Sequence, residues 1–137
     1  MSCILSVYGS KLNIDTLILN SKLKPYKKYY KGNPISKSDT DLSFSYFTVL
    51  VSKGGFYELD KQIDEAIQFL KKNKKKILQI SLVREVEGAG LIFSIKSTID
   101  TKITFTQNSY FPKKLIKLAS DLGIEIQLSV HYKRNMW

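Results

Sequence analysis

Tyrosine and lysine interleave in one short stretch, Pro25-Tyr26-Lys27-Lys28-Tyr29-Tyr30-Lys31-Gly32. A tyrosine ring offers flat apolar area and a hydroxyl, a combination that protein interfaces favour. Lysine adds long-range attraction to an acidic surface. From Lys11 to Lys37 there are seven lysines and one acid, Asp15, a local charge of +6 within a net charge of +10. Tyr26, Lys27, Lys28, Tyr29, Tyr30 and Lys31 are therefore the candidate contact residues for a partner. The competing reading is a solvated loop whose tyrosines fold back onto the sheet.

Catalytic chemistry finds little support. One cysteine, Cys3, and one histidine, His131, cannot supply a zinc cluster. Cys3 alternates with apolar residues, which predicts a buried, inert thiol. The spacing leaves open a Cys3–His131 pair on neighbouring strands, with no Asn or Asp beside it as orienter. Glu85 and Glu87 flank Val86, and paired carboxylates there could do acid/base work, although solvated charges are the commoner case. Gly32-Asn33-Pro34-Ile35-Ser36-Lys37-Ser38 lacks the glycine before the lysine of a phosphate loop, and Pro34 removes a needed donor. Gly88-Ala89-Gly90 is half of a dinucleotide fingerprint. No serine sits in a G-x-S-x-G elbow. The expectation is a non-enzymatic protein with no cofactor and no metal.

The elements that must hold these residues follow from periodicity. Cys3, Leu5 and Val7 share one face of a strand ending at Gly9. Asn13 caps a short helix carrying Ile14, Leu17 and Ile18, which stops before Pro25. Residues 25–40 read as a long loop with room for a short extended piece. Residues 41–53 alternate as a second strand, rich in aromatic and β-branched residues. Leu59, Ile63, Ala66, Ile67 and Leu70 make one apolar helical stripe. Acids lead that helix, and Lys71, Lys72, Lys74, Lys75 and Lys76 close it, the polarity its dipole favours. Residues 77–83 and 91–96 read as strands joined through Gly88-Ala89-Gly90 as a hairpin turn. Residues 97–107 are ambiguous. Pro112 opens a third helix bearing Leu115, Leu118, Ala119 and Leu122, and Gly123 ends it. Residues 124–131 alternate as a last strand, and 133–137 form a surface tail in which Lys133, Arg134 and Trp137 join Tyr132 as a second aromatic-basic cluster.

The predicted order is β-α-β-α-β-β-α-β: an α+β domain over residues 1–137, with a mainly antiparallel five-stranded sheet and three helices. Its last six elements form the ferredoxin-like βαββαβ run. That run is shared by RNA-recognition motifs, but residues 88–95 place aliphatic side chains where such motifs stack bases. The 137 residues can bury a core without disulfides. The start has no basic, apolar leader, no stretch approaches the roughly 18 apolar residues of a membrane span, and one cysteine suits a reducing compartment. A cytoplasmic protein that does not engage a membrane is expected.

The pattern resembles a family of small bacterial α/β domains of unknown function, of the kind found as immunity proteins beside polymorphic toxins. The marks span residues 3–132: a strand and short helix before Leu23-Lys24-Pro25, then Tyr30-Lys31-Gly32-Asn33, an aromatic strand with Phe44, Tyr46 and Phe47, a long amphipathic helix, a hairpin, and a closing helix and strand through Gly123-Ile124-Glu125-Ile126. The second strand departs from the family in having no tryptophan. No catalytic motif belongs to the family, so no catalytic residue carries over. The resemblance implies an immunity protein that neutralises a toxin domain by steric occlusion, its basic face meeting an acidic surface. The alternative is a basic nucleic-acid-binding module working through phosphate contacts.

Overall fold

A computed structural model describes residues 3–33, 42–99 and 106–132. Five strands and four helices follow one another as β1 (Cys3–Gly9), α1 (Ile14–Ser21), β2 (Lys27–Tyr29), β3 (Ser45–Ser52), α2 (Leu59–Lys72), α3 (Lys74–Ser81), β4 (Gly88–Lys96), α4 (Lys113–Asp121) and β5 (Glu125–His131). The sheet order is β2-β3-β1-β4-β5. Its first four strands pair antiparallel, whereas β4 and β5 run parallel, with α4 as the crossover. The sheet is thus mixed.

Many local expectations hold because a side chain performs the predicted task. The Asn13 side chain accepts a hydrogen bond from the Thr16 N–H, 3.1 Å away, and starts α1. Ile63, Ala66 and Leu70 bury the stripe of α2, and Leu115 and Ala119 bury that of α4. Gly123 has φ +69°, the left-handed conformation that ends a helix at little cost to glycine. β5 is an edge strand with one partly buried face.

The predicted strand 77–83 is corrected: residues 77–81 are helical, the second part of α3, and 82–83 follow its end. Ile77 and Ile80 are buried while Leu78 and Leu82 are exposed, a helical spacing that no strand would give. The helix α3 follows α2 across Asn73, whose side-chain amide donates to the Phe69 carbonyl at 3.0 Å. The Ser81 hydroxyl reaches the Leu122 carbonyl at 2.7 Å and ties α3 to the end of α4. The hairpin and the ferredoxin-like run therefore do not form, and the helices among the described residues number four. Gly88-Ala89-Gly90 is the first part of β4 and lies against β1. A Cβ on Gly88 would strike the Tyr8 ring, so glycine here makes room for an aromatic neighbour. The tail 133–137, the stretch 34–38 and residues 100–105 lie outside the described residues.

The inner face of the sheet carries Cys3, Leu5, Val7, Phe47, Leu91 and Phe93, each with no exposed surface. They form one core with the buried sides of the helices. The helices touch in the sequence α1–α3–α2–α4, a single layer on one side. Among the described residues, the opposite face of the sheet has no helix on it.

Candidate functional site

The Tyr–Lys stretch is an edge strand. Among the described residues β2 pairs only with β3, Lys27 opposite Thr48, Lys28 opposite Phe47 and Tyr29 opposite Tyr46. Successive side chains on a strand point to opposite faces, so the six candidate residues do not form one surface. Lys28 and Tyr30 turn toward the helix layer, where both meet Asp15. The Tyr30 hydroxyl donates to Asp15 Oδ1 at 2.9 Å, and Lys28 Nζ lies 3.7 Å from the same oxygen. That hydrogen bond is the first cause holding the Tyr30 hydroxyl above the usual tyrosine pKa. Lys27 and Tyr29 turn toward the uncovered face. Tyr26 is exposed, its N–H donating to the Thr48 carbonyl, with Lys27 Nζ 5.5 Å from its ring centroid. Lys31 is exposed and its N–H donates to Ser45 Oγ at 2.8 Å.

Four aromatic rings run across the uncovered face from that edge. Tyr29 stacks on Tyr46 with centroids 4.2 Å apart and planes 14° apart. Tyr46 meets Phe44 at 5.7 Å, and Phe44 meets Tyr8 at 5.7 Å, both tilted. Removal from water is the first cause holding the Tyr46 hydroxyl above its ordinary pKa, followed by the charge and hydrogen bond of Tyr29. Beyond Tyr8 the two glycines of β4 leave space, and a depression of about 600 Å³ opens between the rings, Gly90, Ile92, Glu125 and Gln127. Its walls offer ring faces, one carboxylate and one amide, a set suited to recognition of a surface by shape and apolar contact.

The alternation in residues 42–50 announces which aromatics share a face. Nothing local announces that Tyr8 and Tyr29 join them, because only the register of β1 and β2 on β3 brings them there.

The other candidates are dispersed. Cys3 is fully buried and burial pushes its thiol far above the usual range. β4 separates Cys3 on β1 from His131 on β5, so the two are not neighbours. His131 is exposed beside the Phe56 ring. Glu87 accepts hydrogen bonds from the Ser10 N–H at 3.2 Å and the Ser10 hydroxyl at 2.7 Å, a structural latch at the end of β1. Among the described residues no group of His, Cys, Asp and Glu could hold a metal, and no helix is long and apolar enough to cross a membrane.

A family model described as "Domain of unknown function (DUF4279)" matches residues 1–133, and the chain belongs to that family. No curated protein and no solved structure matches it.

Proposed function

We propose that this member of a family of unknown function is a non-enzymatic protein-binding domain that acts in the cytoplasm. We further assign it the role of an immunity protein, which neutralises a cognate bacterial toxin by steric occlusion. What carries the reading is the four-ring aromatic chain, which lies on the sheet face without a helix and ends at a lysine-bearing edge strand. Tyr46, Tyr29 and Phe44 supply rigid apolar area at the centre, where binding energy concentrates. Lys27, with Lys31 nearby, supplies charge at the rim, where it governs the rate of encounter more than the strength of the complex. A stable complex needs about 800 Å² from each partner, more than the edge strand alone offers, so the open face and the edge act together.

The test begins with the genes beside this one: where one encodes a secreted protein, its C-terminal domain is co-expressed with this chain and the purified pair is measured by calorimetry. The wild type restores growth. Tyr29→Ala and Tyr46→Ala each weaken binding by about 30-fold, a loss of roughly 2 kcal/mol. Lys27→Glu slows association and flattens its dependence on salt. Unchanged affinity in both tyrosine variants removes the open face from the contact. The absence of any secreted neighbour with such a domain removes the immunity role.

A further inference from the structure

A second feature lies on the opposite side of the molecule. α2 and α4 pack side by side, and α3 begins two residues after α2 ends. This brings Lys71 and Lys72 at the end of α2, Lys74 and Lys75 at the start of α3, and Lys113 and Lys114 at the start of α4 onto the helix layer. All six are exposed. None of them takes part in an ion pair among the described residues, whereas nearby Lys117 is paired with Asp121 at 3.4 Å.

The helix dipole accounts for Lys71 and Lys72, because a helix C-terminus favours cations. It does not account for the other four, which occupy first turns where the dipole repels positive charge and where neither α3 nor α4 has an acid. The Lys71 ammonium is crowded first by that of Lys114, and partial removal from water and then the Lys74 charge add to this, which holds its pKa below the usual lysine range. Like charges from three helices are thus gathered with no carboxylate paired to them among the described residues.

We infer that this lysine cluster binds the phosphate backbone of a nucleic-acid duplex, without reading its sequence. Charge complementarity favours a polyanion, since several phosphates can neutralise several ammonium groups at once. The cluster holds lysines only, point charges that suit phosphate and lack the bidentate fork that reads guanine. The aromatic residues nearest in sequence, Phe69 and Phe111, pack against the core, and the exposed Tyr110 before Lys113 is a single ring, not the series of stacking positions that unpaired bases call for. The inference is independent of the protein-binding role assigned to the sheet face.

Fluorescence anisotropy with a labelled DNA duplex of arbitrary sequence tests it. The wild type binds at low salt, and its affinity falls steeply as salt rises. The triple variant Lys71→Gln, Lys74→Gln, Lys114→Gln binds at least tenfold more weakly at low salt. Its log–log salt slope is shallower by about 2 to 3, near 0.9 for each phosphate that is no longer neutralised. A matched variant, Lys11→Gln, Lys24→Gln, Lys53→Gln, removes the same charge elsewhere on the surface and keeps the wild-type slope. Circular dichroism of both variants checks that they are folded. Absence of duplex binding by the wild type overturns the inference, as does an equal loss in the matched variant, which would assign binding to net charge alone. Binding to phosphatidylserine vesicles without duplex binding also overturns it and moves the cluster to a membrane surface.

Discussion

Tyr46 and Phe47 are neighbours in the chain but lie on opposite faces of the sheet. Phe47 has no exposed surface and belongs to the core beneath the helices. Tyr46 is half-buried, and the rings of Tyr29 and Phe44 are its aromatic neighbours. The inner face excludes water by layering sheet on helix, which uses aliphatic and phenyl side chains of complementary shape. The open face leaves its aromatics to one another, half-buried or exposed and not sealed in the core. One face is built for stability and the other has apolar area to offer a partner, and a strand needs only its two-residue period to carry both.

The largest expected effect separates these faces directly. Phe47→Ala opens a cavity in the core and costs about 3–5 kcal/mol in urea denaturation. Tyr46→Ala loses mainly ring-to-ring contact and costs about 1 kcal/mol. Equal losses would mean that the open face is as much a core as the closed one.

Two glutamines sharpen the same contrast. Gln62 on α2 is fully buried, and its amide donates to the carbonyls of Gly55 at 2.9 Å and Ser94 at 3.0 Å. It fastens the start of α2 to β4 on the closed side. Gln62→Leu leaves both carbonyls without that donor and lowers stability by about 1–3 kcal/mol. Gln127 on the open face is exposed and its amide donates to Ser129 Oγ at 3.3 Å, so Gln127→Leu changes stability by less than about 0.5 kcal/mol. A comparable loss in both variants, measured by the same denaturation, would erase the distinction.

Elements with long, one-sided patterns are legible in the sequence. The stripe of α2 and the alternation of β1 and β5 each repeat often enough to exclude the other period. Asn13 and Gly123 mark their helix ends by local chemistry alone. Residues 77–83 mislead because a short apolar run satisfies both periods, and the deciding fact is tertiary: Ser81 bonds to the Leu122 carbonyl across to α4. Gly88 and Gly90 mimic turn residues for a related reason. Their missing side chains serve the Tyr8 ring and Glu125, neighbours that no local window contains. The candidate site is half legible. Its tyrosines and lysines stand out by composition, and the stretch 25–40 leaves room for an extended piece. Composition does not show that pairing with β3 sends Tyr29 and Lys27 one way and Tyr30 and Lys28 the other.

That division leads to the smallest expected effect, at the edge where the two faces meet. Tyr30 and Tyr46 both ionise above the ordinary tyrosine range, for different first causes: a hydrogen bond to Asp15 for Tyr30, and removal from water for Tyr46. Asp15→Asn replaces the charged acceptor and returns Tyr30 toward the ordinary value while leaving Tyr46 late. Ultraviolet titration of tyrosinate then shows one fewer late group in Asp15→Asn and in Tyr30→Phe than in the wild type. The sign of the linked stability follows from the raised folded value. The Tyr30–Asp15 bond contributes fully below the ordinary tyrosine pKa of about 10, and its contribution is lost as pH rises through the higher folded value. Tyr30→Phe is therefore slightly less stable than the wild type near neutral pH, and the two converge in strong alkali. If Asp15→Asn moved both late tyrosines together, the hydrogen bond on the helix side and the ring stack on the open side would be one coupled unit, and the edge strand would not divide them.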